Sequence, residues 1–443
     1  MTLDPSWKAV LVACAAGFAA VPALAADQDW GSYPGTTLKV KLIGGTQYEK
    51  LYTRIPEWEK ATGARVEIVS SKNHFDLDRE IKQDIASGTI NWCVGSNHTS
   101  FAPQYGELYV DLADLIPAET LAEFVPGTLA SAKVDGRLVQ LPRVTDVSNL
   151  YYQKELYENP DNQAKYKAKF GADLAPPKTF DEFKQQAIFF SNPPNLYGTV
   201  FAGKDEGMTG RFMEVLRANG GDMFDADWNP TFNSEAGVAA LDWFVDLYKA
   251  KAVPAGTVNY TWDDIGQGFA SGTVAIDLDW PGWAAFFNDP KTSKVAGKIG
   301  LAVAPVGTSG KRGGWSGSHS FSITEACDTK EAAASLITFL TDYESEMMEA
   351  RAGNLPARTK VFDDVVAEFK ANGNDYMAEM FSTWQQSLAD ARTPPLVPQW
   401  IEVSNALWPE LQAAIVGEKS SKEALDAAAA KARLVLEDAG LLP

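Results

Sequence analysis

The spacing of apolar residues in the first hundred positions predicts alternating strands and helices. Three segments have the short apolar or alternating pattern of strands: residues 37–45, 64–71 and 90–96. After the first of them, Leu51, Ile55 and Trp58 recur at the i, i+4, i+7 spacing of one helix face. Gly63 then supplies the residue at which such a helix ends. With a second helical segment before residue 90, the order is βαβαβ, which predicts a mostly parallel sheet with helices on its faces.

The same alternation continues to the C-terminus. Residues 235–250 carry an amphipathic helical stripe, residues 273–280 form an apolar strand that ends in aromatic residues, and the chain beyond about Phe362 is nearly all helical in pattern. Strands repeatedly end in short polar or aromatic loops. Because ligands of open α/β sheets bind at the C-terminal ends of strands, the predicted site is assembled from loops that are far apart in sequence.

Length and charge narrow the class of protein. The 443 residues predict two or three domains, or two lobes that fold together. The chain has 39 Lys and Arg against 58 Asp and Glu, a net charge of −19. Such an acidic protein repels nucleic acid and anionic membranes, so neither is expected as a partner.

The N-terminus predicts export. An apolar run from Ala9 leads to small residues at Ala23 and Ala25, which is typical of a signal peptide cleaved after Ala25. Cys14 also fits a lipoprotein cleavage box, but few apolar residues precede it, so ordinary cleavage is favoured. The mature protein is then expected in the periplasm, where Cys93 and Cys327 could form one bridge. Two separate thiols are the preferred expectation, since one pair is no disulfide framework.

Tryptophans in loops are the first candidate ligand contacts. Trp280 and Trp283 follow an apolar strand, Trp262 lies in a polar loop, and Trp315 stands beside Gly314 before a strand. A lone tryptophan most often fills a core, but a glycine-rich loop is a poor place to bury an indole. A sugar ring has an apolar face that an indole can cover and a hydroxyl rim that polar side chains can bind.

Polar residues at strand ends are the second set of candidates. They are Gly45, Thr46 and Gln47 after the first strand, Asn97, His98 and Thr99 after the third, and Asp146 between two apolar segments. Free backbone N–H groups at a strand-to-helix junction can bind a ligand or simply cap the helix. A carboxylate between apolar segments needs partners or solvent, which favours a cleft position.

Signals for catalysis or metal binding are weak. The string from Gly314 to Ser318 fails the G-x-S-x-G pattern at its last position. The three histidines, His74, His98 and His319, are too scattered in sequence to suggest zinc, so no metal site is predicted. No nucleotide-binding motif occurs, and we expect no cofactor.

Six segments resemble, in their order and spacing, the family 1 extracellular solute-binding proteins, the sugar receptors of bacterial ABC importers. They are residues 134–157 (VDGRLVQLPRVTDVSNLYYQKELY), 176–183, 220–247, 269–283, 299–323 and 353–361. The resemblance implies an α/β fold with two lobes of the type II periplasmic-binding-protein kind, joined by hinge crossovers around a ligand cleft. It implies an N-terminal lobe of residues 26–143 and 316–357, after a signal peptide of residues 1–25. The C-terminal lobe would comprise residues 144–315 and 358–443.

The resemblance also implies roles for individual residues. Trp315 after Gly314 would stack on a sugar, as would Trp280 or Trp283, and Asp146 would be the cleft carboxylate. Arg358 matches a common family arginine that is structural or meets an anionic group. Asn97 and His98 stand where relatives often carry Asp or Arg, which leaves the ligand subclass open.

The function predicted is a non-enzymatic, monomeric receptor that delivers a carbohydrate ligand to the membrane subunits of an ABC importer. Two alternatives stay open at this point. One is a secreted polysaccharide lyase or glycosidase, which needs a catalytic carboxylate pair or a polar cluster in the cleft. The other is a polyamine or iron receptor of the same fold. Adjacent tyrosines such as Tyr151 and Tyr152 point to opposite faces of a strand, which disfavours iron.

Overall fold

The computed structural model describes residues 29–45 and 47–442, and the predicted leader with Cys14 lies outside them. Within these residues the strands form one six-stranded, one three-stranded and one two-stranded sheet. The strands are β1 (Thr37–Ile43), β2 (Arg65–Lys72), β3 (Val94–His98), β4 (Lys133–Val134), β5 (Arg137–Leu138), β6 (Leu141–Val147), β7 (Asn149–Gln153), β8 (Ile276–Asp279), β9 (Ile299–Val303), β10 (Ser316–Ile323) and β11 (Leu355–Pro356).

Helices cover both large sheets. The α-helices are α1 (Glu49–Tyr52), α2 (Ile55–Thr62), α3 (His74–Ser87), α4 (Ala118–Leu121), α5 (Pro126–Ser131), α6 (Lys154–Glu158), α7 (Pro160–Phe170), α8 (Phe180–Phe190), α9 (Asp205–Ala218), α10 (Glu235–Lys249), α11 (Trp262–Ala270), α12 (Ala284–Asn288), α13 (Lys330–Phe339), α14 (Tyr343–Arg351), α15 (Thr359–Ala371), α16 (Asp375–Leu388), α17 (Trp400–Ile415) and α18 (Ser421–Asp438). Short 3₁₀ turns span Ala102–Leu108, Leu112–Asp114, Ala255–Asn259 and Pro281–Trp283.

The six-stranded sheet has the order β11-β6-β10-β3-β1-β2. Its first half is the predicted βαβαβ unit, in which β1 pairs in parallel with both β2 and β3. As predicted, α2 ends at Gly63, which has the left-handed conformation with φ of 75°. The apolar side of the sheet packs into one core, which includes Leu38, Val40, Phe321 and Ile323.

The expectation of a mostly parallel sheet is wrong for the later strands. β10 is antiparallel to both of its neighbours, β3 and β6, and β11 is antiparallel to β6. The three-stranded sheet, of order β8-β7-β9, is antiparallel throughout. The cause is the path of the chain, because β10 returns to the first sheet from β9 of the second.

The chain passes between the two large sheets with little intervening structure. β6 ends at Val147 and β7 begins at Asn149, so the first passage is at Ser148, whose N–H donates to the carbonyl of Trp315 at 3.0 Å. The predicted boundary between residues 143 and 144 falls inside β6, and the place of the lobe boundary stays a prediction. The remaining bounds of the two lobes stay a prediction.

The expectation of two free thiols is wrong. Cys93 and Cys327 are joined by a disulfide that spans 234 residues, with their Cα atoms 4.6 Å apart. Cys93 immediately precedes β3, and Cys327 follows the end of β10, its antiparallel neighbour. Sequence spacing could not reveal this pairing, because β3 and β10 become neighbours only through the return of the chain from the second sheet.

Among residues 29–45 and 47–442, no helix combines the length and the apolar character that crossing a bilayer requires.

Candidate functional site

A cleft of about 910 Å³, including the part open to solvent, lies where the ends of strands from both large sheets meet. The first sheet contributes the end of β1, the start of α3, and residues of β3, β6 and β10. The second contributes the starts of α9 and α11 and the loop after β8. The cleft therefore has the position predicted from the strand ends, at the junction of the two sheets.

One wall of the cleft is formed by the indoles of Trp262, Trp280 and Trp315, which we call the aromatic wall. Their ring centroids are 4.9 to 5.5 Å apart, and the ring planes are tilted by 53° to 80° to one another. The contacts of Trp280 with the other two rings are edge-to-face, which is favourable for aromatic quadrupoles and fixes the orientation of the rings. Trp315 is only 3% exposed, so it presents a limited part of its ring to the cleft.

A single buried cation holds the aromatic wall from behind. The guanidinium carbon of Arg211, on α9, lies 5.2, 5.1 and 5.5 Å from the centroids of Trp262, Trp280 and Trp315. Its N–H groups donate to the Ser148 hydroxyl and to Glu214, while its contacts with the three rings are cation–π interactions. Arg211 and Glu214 are both buried, so this pair is shielded from solvent.

The helix behind the wall lacks side chains where the indoles lie against it. Gly207 and Gly210 are one turn apart on α9, and a methyl group built on Gly210 would overlap the ring of Trp315. At Gly207 the same addition would come 3.3 Å from the ring of Trp262. The two glycines therefore allow close approach of the indoles to the helix backbone.

The opposite wall contains all three histidines of the chain, and we call it the histidine wall. His98 on β3 and His319 on β10 are direct cross-strand partners, with ring centroids 4.8 Å apart. His74, the first residue of α3, lies 5.9 Å from His98 and 5.8 Å from His319. The hydroxyl of Tyr48 is 2.9 Å from Nε2 of His319, and the carboxylate of Asp146 is 3.6 Å from the same nitrogen.

Burial keeps these imidazoles neutral. It lowers the pKa of His74 to about 4. Burial, with a smaller contribution from His74, lowers the pKa of His98 to about 3. The pKa of His319 is well below its ordinary value for the same reason, with repulsion from His98 and His74 adding to it. At neutral pH each ring therefore offers one hydrogen-bond donor and one acceptor and carries no charge.

Three carboxylates also line the cleft: Asp146, Glu206 and Asp263. Burial and the charge of Glu349 raise the pKa of Asp146 to about 7, although Arg143 opposes this. Burial also raises the pKa values of Glu206 and Asp263. Among the described residues, none donates a hydrogen bond to the carboxylate of Asp146 or Asp263, so both oxygen pairs are open to a ligand.

The structure brings most of the predicted site residues together. Those that line the cleft are Gly45, Gln47, His98, Asp146, Trp262, Trp280 and Trp315. Thr46 lies outside the described residues. The sequence left open whether Trp280 or Trp283 contacts the ligand. Trp280 lines the cleft, and Trp283 does not.

The other predicted residues do not line this cleft. Trp283 is fully buried in the second-sheet core and stacks on Phe287. Arg358 is buried outside the lining of the cleft, where it stacks on Phe124 and forms an ion pair with Glu123. The anion-binding role considered for Arg358 therefore has no support in its surroundings.

Three further predicted residues make contacts within the protein. Asn97 donates to Ser322 at 3.2 Å and accepts from the N–H of His98 at 2.8 Å. Thr99 is fully buried and hydrogen-bonded to Ser318 at 2.9 Å. Gly314 has φ of 57° and lies against the backbone of Asp390, so its role is to form the turn before Trp315.

Sequence reasoning assigned no ligand contact to Tyr48, His74, Glu206 and His319 of the cleft, and it missed Arg211 behind the aromatic wall. Tyr48 could have been found from the sequence, because it follows directly after the loop that contains Gly45. Nothing in the sequence indicates that His74 and His319 lie close together. Across the described residues, no group of His, Cys, Asp and Glu side chains is arranged to hold a metal ion.

Comparisons with known proteins give a family match and relatives among the binding proteins of transporters. Residues 53–378 match a family model described as bacterial extracellular solute-binding protein. A mannitol-binding protein of Pseudomonas aeruginosa is 27% identical over 335 residues, which is 71% of this chain and 73% of the relative. A probable amino-acid ABC transporter periplasmic-binding protein of Sinorhizobium fredii is 26% identical over 346 residues, 75% of each chain.

Solved structures agree with the predicted fold class. Maltose-bound MalE3 of T. maritima superposes with a TM-score of 0.79 at 27% identity, over 90% of this chain and 100% of that one. A solute-binding protein of Agrobacterium vitis with bound D-mannitol gives 0.78 at 22% identity, over 91% and 99%, and shows the likeness of fold alone. The predicted two-lobe α/β fold is confirmed.

Proposed function

We propose that this chain, which belongs to the family of bacterial extracellular solute-binding proteins, captures a sugar or polyol in its cleft and delivers it unaltered to an ABC importer. The observation that carries the proposal is the aromatic wall at the junction of the two sheets. Covering about 100 Å² of a sugar's apolar face contributes about 2.5 kcal/mol before ordering costs. Polar groups on the histidine wall would bind the hydroxyl rim.

The two walls suggest how capture is coupled to a change of shape. The aromatic wall belongs mainly to the second sheet and the histidine wall to the first. A ligand that touches both stabilises the arrangement in which they face each other, so binding shifts the population toward the closed form. The importer's membrane subunits would recognise that form.

Location in the periplasm is part of the proposal. The leader pattern of residues 1–25 supports export. The disulfide between Cys93 and Cys327 is consistent with an oxidising compartment. We propose a monomer, since docking by a single receptor requires no second copy.

The relatives include a mannitol-binding protein and a probable amino-acid binding protein. An amino acid would bring a carboxylate into the cleft, and no Lys or Arg is among the described residues that line it. The indoles and the hydrogen-bond acceptors suit a polyhydroxyl ligand better. This favours the sugar or polyol over the amino acid.

The test is a thermal-shift screen against sugars and polyols, followed by calorimetric titration of the best ligand. Trp280→Ala and Trp315→Ala should each weaken binding by about tenfold or more, because each removes a stacking surface. Trp408→Ala, at a partly buried tryptophan outside the cleft, is the matched control and should bind normally. Unchanged affinity in both cleft variants would contradict the site, and chemical change of the recovered ligand would instead favour a lyase or glycosidase.

A further inference from the structure

The charges that face the cleft are all of one sign. Asp146 and Glu206 lie within it and Asp263 is exposed at its rim, and no Lys or Arg occurs among the described lining residues. The three histidines of the cleft are neutral at physiological pH. A ligand with a negative charge would therefore meet only like charges and neutral groups.

The cations nearby are already committed to other partners. Arg211 is enclosed behind the three indoles and paired with Glu214. Arg143 is 1% exposed and makes a bidentate pair with Glu349, with bonds of 2.8 and 2.6 Å. The Nε of Arg211 has no hydrogen-bond partner, but Arg211 is only 2% exposed, so burial keeps both guanidiniums from a ligand.

The carboxylates, in contrast, have unused capacity. Nothing in the described chain donates to the carboxylate of Asp146, whose side chain is 15% exposed, and the nearest polar contact is the 3.6 Å approach of His319. Glu206 is 5% exposed, and one of its oxygens, Oε1, accepts from Trp400 at 2.8 Å. A buried carboxylate without a counter-ion is costly, and a bound cation would relieve that cost.

Resting on the proposed sugar-receptor function, we infer that the cleft selects by charge: it rejects acidic sugars and binds an amino sugar or amino polyol more tightly than the matching neutral compound. An ammonium group would donate to Asp146 from within the cleft, and the neighbouring indole faces are themselves attractive to a cation. Hydrogen bonds to charged groups are about twice as strong as neutral ones, which corresponds to about a tenfold preference here.

Matched triplets test the selection by calorimetric titration at pH 7.5. The probes are glucose, glucosamine and glucuronate, the galactose equivalents, and sorbitol, glucamine and gluconate. In whichever series binds, the amino compound should bind about tenfold tighter than the neutral one, and the acid at least tenfold weaker. Asp146→Asn should bring the amino and neutral affinities to within about threefold of each other, since the amide keeps an acceptor oxygen but loses the charge.

Asp264→Asn is the matched control. Asp264 is one residue from the rim carboxylate, but its side chain accepts from the N–H and hydroxyl of Thr261 at the start of α11. It should keep the amino preference. A neutral or acidic member that binds as tightly as the amino member overturns the inference and leaves the sugar receptor standing. If no member of any series and no neutral sugar or polyol binds, the proposed function itself falls.

Discussion

The two walls of the cleft are built by different kinds of interaction. The aromatic wall is held by side chains, because Trp262, Trp280 and Trp315 contact one another and the single buried cation Arg211. The histidine wall is held largely by backbone, because His98 and His319 are paired across two adjacent strands that a disulfide also ties together. We therefore expect the aromatic wall to fail when one side chain behind it is changed. The histidine wall should instead respond to protonation.

The largest effect is expected from Arg211→Met. It removes the cation that contacts all three indoles and leaves Glu214, which is fully buried, without its partner. Breaking a buried pair in this way costs about 3–5 kcal/mol. Urea denaturation should show a loss of that size in the free energy of unfolding, and the near-ultraviolet circular dichroism of the tryptophans should weaken.

A second variant separates the charge from the packing. Arg211→Met combined with Glu214→Gln removes both charges, so stability should recover in part while the tryptophan signal stays weak. If the single variant unfolds at the same urea concentration as the parent chain, Arg211 is not what supports the aromatic wall.

A smaller effect is expected from Gly210→Ala, which acts on the same wall from the helix side. The added methyl group would overlap the ring of Trp315, so the indole must move, although alanine suits the α9 backbone better than glycine. Affinity for the bound sugar should fall by about tenfold in calorimetry. Gly268→Ala on α11, where the methyl group meets ordinary contact at 3.7 Å, is the control. Equal affinities for the two variants would show that the position of the Trp315 ring does not matter.

The contrast also explains how much the sequence could predict. Local signals were sufficient to predict the βαβαβ unit and the resemblance to solute-binding proteins, which the family match confirms. Of the four tryptophans named as candidates from the sequence, three line the cleft. They could not separate Trp280 from Trp283, because a 3₁₀ turn over Pro281–Trp283 places one in the cleft and the other in the core. A glycine- and proline-rich stretch predicts a turn, but not the direction in which its residues point.

The histidine wall was beyond sequence reasoning for a different reason. His98 and His319 are 221 positions apart, and they meet only because β10 enters the first sheet next to β3. The same event pairs Cys93 with Cys327. Antiparallel insertion of a returning strand is a non-local event that no periodicity in either segment indicates. The histidines looked scattered, and the cysteines looked independent, until the sheet order was known.

The smallest effect at neutral pH is expected from His74→Phe, which tests the histidine wall. Burial lowers the pKa of His74 to about 4, so the folded state binds fewer protons than the unfolded state between about pH 4 and the ordinary value of 6.5. Stability contributed by the neutral ring is therefore present above pH 6.5 and is lost as the pH falls through that window.

Phenylalanine has no proton to bind. The ring already packs against Phe75 and Phe101, with centroids 4.1 and 5.6 Å away, so an apolar replacement fits the same surroundings. The melting temperature of the variant should be within a few degrees of the parent at pH 7.5, and it should fall less than the parent's between pH 6.5 and 4.5. Equal losses in both proteins would mean that the acid sensitivity of the fold does not come from His74.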